Sequence, residues 1–119
     1  MNKLIFSLIF LFGGIVLADF PDVKYSWYRD SILQLQTEWI IGGYADGTFG
    51  PDQPVTRAEI LKMMLWASKI PLPPPEEETC FSDVKKDTWY HDSVCAAARL
   101  GIISGYPDGT FKPDQAVNK

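Results

Sequence analysis

Histidine, cysteine and clustered positive charge are what this sequence has least of. A single histidine, His91, stands in 119 residues, and no serine or cysteine falls in a pattern that would pair with it as nucleophile and base. The two cysteines, Cys80 and Cys95, do not make the Cys-x-x-Cys spacing of a metal site. Aspartate and glutamate outnumber lysine and arginine 15 to 11, a net charge of −4, with no basic run. That balance argues against a nucleic-acid partner, which needs a cationic face for phosphates. No paired carboxylates stand out either. The chain therefore reads as a non-enzymatic protein with no cofactor and no metal.

A long apolar run is also lacking. The longest lies in Met1–Ala18, where Lys3 precedes roughly 14 apolar residues, short of the ~20 needed to span a bilayer. Val16-Leu17-Ala18 offers small or apolar residues where a signal peptidase reads, so residues 1–18 are expected to be a secretory signal cleaved before Asp19. The mature chain would be secreted, with no membrane contact. It would hold 10 cationic against 15 acidic residues, because Met1–Ala18 contains one lysine and no acid. In an exported chain Cys80 and Cys95 could close a loop of about 15 residues, worth roughly 3 kcal/mol. Equally, Cys95 among Ala96, Ala97 and Ala98 could be a small buried hydrophobe.

What is present is dominated by one stretch, Gly43 to Glu59. Asp46-Gly47 between Tyr44 and Phe49 predicts a tight turn, since glycine accepts positive φ without steric cost. Pro51 and Pro54 predict an extended rail. Thr56-Arg57-Ala58-Glu59 then matches a capping box, in which the Thr56 hydroxyl accepts from the Glu59 amide and the Glu59 carboxylate accepts from the Thr56 amide. A helix should follow from Arg57 to about Lys69, with Ile60, Met63, Met64 and Ala67 as its apolar stripe and Pro71 as its stop. Upstream, Tyr28, Ile32 and Leu35 predict a helix from Trp27 to about Glu38. Pro71 to Glu78 predicts a semi-rigid extended spacer rather than a ligand for a proline-binding domain.

The front of this cassette recurs. Phe20, Asp22, Val23, Trp27, Tyr28 and Gly43 to Gln53 return as Phe81, Asp83, Val84, Trp89, Tyr90 and Gly105 to Gln115, an internal repeat of period near sixty residues. Four segments follow: the signal at 1–18, a first repeat at 19–70, a Pro/Glu-rich linker at 71–79, and a second, truncated repeat at 80–119.

Phe-x-Asp-Val, Trp-Tyr, Gly-Ile-Ile-x-Gly-Tyr-x-Asp-Gly-Thr-Phe-x-Pro-Asp-Gln and Thr-Arg-Ala-Glu together closely resemble the S-layer homology (SLH) repeat of bacterial surface proteins. The resemblance implies a mainly α fold of helix–loop–helix repeats, usually three, forming a pseudo-threefold helical bundle. It also implies non-covalent anchoring to the cell envelope by binding secondary cell-wall polysaccharide, often pyruvylated. Trp39 departs from the pattern, standing where the second copy has Gly101. The second copy reaches Lys119 without its second helix, so a threefold bundle would not close within these residues; were the chain a fragment of a longer protein, its cargo would lie beyond Lys119. A structural segment that pairs with other SLH repeats and binds no glycan is the alternative.

For the glycan site the candidates are Arg57, Thr56, Glu59, Tyr44, Asp46 and Gly47. Arg57 carries the case. A cation at a helix start opposes the helix dipole by about 0.3–1 kcal/mol, so another role should justify it. A ligand carboxylate there would meet backbone N–H groups and a guanidinium fork together. Pairing with Glu59 or Asp52, or simple solvation, is the competing reading. Trp27 and Phe49 are expected in the core, and Tyr44 either there or against a sugar ring. Asp46 and Asp52 lack the acids of a calcium loop and read as turn residues. His91 is expected on a solvated helix face, because Arg29 occupies the matching position.

Overall fold

The computed structural model describes residues 10–11, 14–15, 19–74 and 79–117. The expected signal therefore lies mostly outside the described residues, as does the centre of the Pro/Glu spacer. Two short strands, β1 (Phe10–Leu11) and β2 (Gly14–Ile15), pair antiparallel with Phe10 opposite Ile15. The rest is mainly helical: a 3₁₀ turn at Pro21–Val23, then α1 (Arg29–Thr37), α2 (Arg57–Ser68) and α3 (His91–Arg99). No described helix is long and apolar enough to cross a membrane.

The chain divides into two compact units, the first ending at Gln53 and the second beginning at Pro54. This division is offset from the sequence repeat, because α2 closes the first repeat but packs with α3 of the second.

The first unit buries Phe20, Val23, Ile32 and Ile41. Phe20 and Val23 come from Phe-x-Asp-Val, and the aspartate between them has a separate task. The Asp22 carboxylate accepts from the Phe49 amide at 3.0 Å and the Gly50 amide at 2.7 Å, clamping the loop to the start of the repeat. The expected turn is present: the Tyr44 amide donates to the Thr48 carbonyl at 2.8 Å, the Gly47 amide donates to the Tyr44 carbonyl at 3.0 Å, and Gly47 has φ +83°. The expected straight rail is instead a second turn, closed by the Gln53 amide donating to the Gly50 carbonyl at 3.0 Å. Proline at 51 suits such a turn as well as it suits an extended segment.

Helix α1 ends as α3 does, despite Trp39. The Ile40 amide reaches the Leu35 carbonyl at 2.9 Å and the Trp39 amide the Gln36 carbonyl at 3.0 Å, matched by Ile102 to Ala97 at 2.9 Å and Gly101 to Ala98 at 3.0 Å. Both ends are Schellman closures, which need a left-handed residue. Gly101 supplies φ +71° without strain, whereas Trp39 is held at +62° against about 1–2 kcal/mol.

In the second unit Leu61 and Leu65 of α2 pack with Val94, Cys95 and Ala97 of α3, together with Val84 and Phe111. The buried stripe of α2 is therefore Ala58, Leu61 and Leu65, and not Ile60, Met63, Met64 and Ala67; Met64 is 59% exposed. Apolar residues surround this helix on most sides, so spacing alone fits either stripe, and the cluster it joins, with Val94, Cys95 and Ala97 of α3, decides between them. The capping box is complete, with the Glu59 amide donating to Thr56 Oγ1 at 3.3 Å and the Thr56 amide to Glu59 Oε2 at 2.9 Å. Asp83 repeats the clamp, accepting from the Phe111 and Lys112 amides, each at 2.8 Å. Cys80 and Cys95 form a disulfide, which resolves the alternative left open above.

Two expectations about single residues are corrected. Trp27 is 93% exposed, edge-on to Tyr28, while Phe20 and Val23 fill the core. Its counterpart Trp89, 42% exposed, lies beneath Lys62 of α2, and the first unit holds no such helix among the described residues. His91 is buried, not solvated, with Nδ1 2.8 Å from Asp92 Oδ1. The long Arg29 reaches outward to Asp19 at 3.1 Å from the same position, as extended cationic side chains can, whereas a short imidazole cannot.

Candidate functional site

The start of α2 is where the sequence candidates converge. Its first amides are all engaged: Arg57 N–H donates to the Gln115 carbonyl at 2.9 Å, Ala58 N–H to the Pro113 carbonyl at 3.0 Å, and Glu59 N–H to Thr56 Oγ1. The Val117 amide also donates to the Val55 carbonyl at 2.8 Å, so the loop of the second repeat is hydrogen-bonded along the approach to α2. A ligand would thus not meet free backbone donors here, contrary to expectation. The loop carbonyls of the second repeat have taken the places that an anion would occupy at an open helix terminus.

What remains is the Arg57 side chain. Its Nε donates to the Phe111 carbonyl at 2.9 Å. The guanidinium carbon lies 4.7 Å from the Phe111 ring centre and 5.1 Å from that of Tyr106. Carbonyl and rings hold the fork half-buried and fixed. Neither Glu59 nor Asp52 forms an ion pair with it among the described residues. The two terminal nitrogens are left as donors that match a carboxylate in bidentate fashion.

The other candidates divide. Thr56 and Glu59 are buried in the cap, where Thr56 Oγ1 and Glu59 Oε2 accept from backbone amides and Glu59 Oε1 is buried without a hydrogen-bond partner among the described residues. Tyr44, Asp46 and Gly47 belong to the first unit. Beside Arg57 stands Tyr106, the second copy of Tyr44, in the loop that also holds Asp108 and Gly109. The sequence reading missed Tyr106, the Phe111 carbonyl and the neighbouring Lys112. The repeat made Tyr106 and Tyr44 equivalent, but nothing in one dimension says which copy the Arg57 helix covers. Among the described residues no three His, Cys, Asp or Glu side chains could together hold a metal ion.

The two turn aspartates share one electrostatic environment. Asp46 Oδ1 accepts from Thr48 Oγ1 at 2.6 Å and from its amide at 3.0 Å, and Asp108 does the same with Thr110. The threonine hydroxyl first, and its amide second, hold each carboxyl below the usual aspartate range, with Lys112 adding its charge at Asp108. A lowered pKa means the turn bonds are intact above the ordinary value of about 3.9 and are lost as pH falls through the lower folded value. In an NMR titration the Thr48 and Thr110 amides are expected to shift with midpoints below 3.9; midpoints at or above it would contradict the hydrogen bonding.

A tandem helix–loop–helix repeat, whose capped helix start is laid on the next copy's loop, defines a repeat module. The chain belongs to the S-layer homology domain family, whose sequence model matches residues 19–61 and 81–119. It is similar to endo-1,4-beta-xylanase A of Thermoanaerobacterium saccharolyticum, 36% identical over 103 residues, covering 84% of this chain and 8% of that protein. It resembles the surface-layer 125 kDa protein of Lysinibacillus sphaericus at 28% over 103 residues, covering 87% and 8%. To the cellulosome-anchoring protein of Acetivibrio thermocellus it is 33% identical over 108 residues, covering 84% and 23%. The chain spans less than a tenth of the first curated relatives, so where these are named as enzymes the likeness is confined to a small part of them.

Proposed function

We propose that this chain is an envelope-anchoring module that binds acidic secondary cell-wall polysaccharide and so fastens an exported protein to the bacterial surface. One observation carries the reading: the fork of Arg57, fixed by a carbonyl and two rings, has no carboxylate partner among the described residues. A half-buried cation left unpaired is poised for an external anion, and a pyruvyl carboxylate fits a bidentate guanidinium. Family membership, and relatives named for the cell surface and for anchoring, support the same site of action. Met1–Ala18 would serve for export. Tyr106 offers the sugar a ring edge, while Thr56 and Glu59 hold the arginine in place. In the first unit Tyr44, Asp46 and Gly47 would form the equivalent loop for a second stretch of glycan.

The test is sedimentation of the full chain with purified wall polysaccharide. Arg57→Gln is expected to weaken binding about 10- to 100-fold, as loss of a charged hydrogen-bonded pair of roughly 1.5–3 kcal/mol requires, with the helical circular dichroism unchanged. Unaltered retention would refute the site.

A second reading, assembly with other SLH repeats without glycan binding, is favoured by exposed apolar side chains on both flanks of α2, Met64 at 59% and Trp66 at 47%. Oligomers in solution that ignore the polysaccharide would establish it instead.

A further inference from the structure

We infer that Lys112 is a second cation of the same anion site, so that the loop of the second repeat binds acidic glycan with two positive charges. This inference rests on the anchoring function proposed above. The Lys112 ammonium lies 4.2 Å from the centre of the Tyr106 ring, the ring over which Arg57 sits at 5.1 Å. One tyrosine therefore gathers a cation from α2 and a cation from the loop. Neither head forms an ion pair among the described residues. The Asp83 carboxylate is occupied by the backbone amides of Phe111 and Lys112. Asp108 feels the Lys112 charge but forms no ion pair with it among the described residues, its Oδ1 being held by the Thr110 hydroxyl and amide. An acidic saccharide reaching the Arg57 fork would meet a second cation held on the same tyrosine.

Comparison of the two copies shows that Lys112 is not needed for the fold. It has φ +58°, and its counterpart Gly50 has φ +66°. The backbone is thus shaped for glycine in both copies, and the second carries lysine there at a conformational cost. In the first copy the space is taken up: a Cβ at Gly50 would come within 2.6 Å of the Tyr44 ring and 2.9 Å of Gln53 Cγ.

Lys112→Gly restores the residue of the first copy, so loss of binding in this variant would not reflect unfolding. The probe is pyruvylated wall polysaccharide released from Gram-positive cell walls, used before and after mild acid removal of its ketals, with the full chain. For the intact polymer at 50 mM salt, Lys112→Gly is expected to weaken binding about 3- to 10-fold. That difference should vanish at 1 M salt, where exposed charges are screened within about 3 Å, and should be absent with the ketal-free polymer. The melting temperature should hold or rise. If Lys112→Gly binds as tightly as the unaltered chain while Arg57→Gln has lost binding, the inference falls and the anchoring function stands. If the unaltered chain binds the ketal-free polymer as well as the intact one, an anion site is excluded. If it binds neither, both proposals fall together.

Discussion

Alanine at Gly105 is expected to destabilise the second unit by about 3 kcal/mol or more, a larger effect than at any other glycine in its loop. A Cβ there would collide with Cε1 of Phe81 and stand 2.7 Å from the Thr110 carbonyl. Neither obstacle can yield easily. Phe81 is stacked on Phe111 at 5.6 Å against the core, and the Thr110 carbonyl accepts from the Tyr106 amide at 2.8 Å. Relief requires moving a packed ring or breaking the turn, and overpacking of this kind costs roughly 1–3 kcal/mol before the lost hydrogen bond is added. Gly109→Ala is the control. It has φ +83° and open space around it, so only the left-handed backbone opposes the substitution, at about 1–2 kcal/mol. Urea unfolding compares the two; equal losses would mean that the close approach of Phe81 is not what demands glycine.

Reducing the disulfide is the second large effect. Cys80–Cys95 closes a loop of 15 residues between the end of the spacer and the middle of α3. In the chain-entropy account a loop of this length contributes about 3 kcal/mol. At roughly 4–8 °C per kcal/mol for a domain of this size, the melting temperature of the second unit should fall by more than about 10 °C in a phosphine reductant. Cys80→Ser with Cys95→Ala should behave the same way and should no longer respond to reductant. A melt indifferent to reductant would show that packing of Cys95 and the Arg99–Pro74 hydrogen bond at 3.2 Å already hold the spacer.

These two sites also show what the sequence could and could not reveal. The Asp46-Gly47 turn, the capping box and the extent of α2 were legible because each is a local bargain between neighbours: a side chain bonds an amide two or three residues away. The aspartate of Phe-x-Asp-Val was not, since its partners lie 27 to 29 residues ahead. The buried stripe of α2 was illegible for another reason. With apolar residues on most sides, only the neighbour can choose, and that neighbour belongs to the next repeat. Neither Trp39 nor Lys112 betrays a left-handed backbone by its own residue type, though each occupies a place that the other copy gives to glycine. Lining up Trp39 with Gly101 and Gly50 with Lys112 was the signal available, and it pointed to the two positions where one copy tolerates strain. As for the site, Arg57 stood out by its awkward charge at a helix start, whereas its seat on Tyr106 and Phe111 depends on a register between copies that no spacing records.

The offset between repeat and packing unit has a practical consequence for anyone wishing to transplant this module. A piece excised at residue 70, following the repeat as written, carries Arg57 but leaves Tyr106 and Phe111 behind, and strips Leu61 and Leu65 of the helix they rest on. A piece begun at Pro54 keeps the arginine, its two rings and the α2–α3 contact together. The natural splice point for tagging a cargo therefore falls inside the motif, between the turn and the helix cap, and not at the proline-rich stretch that looks designed for it.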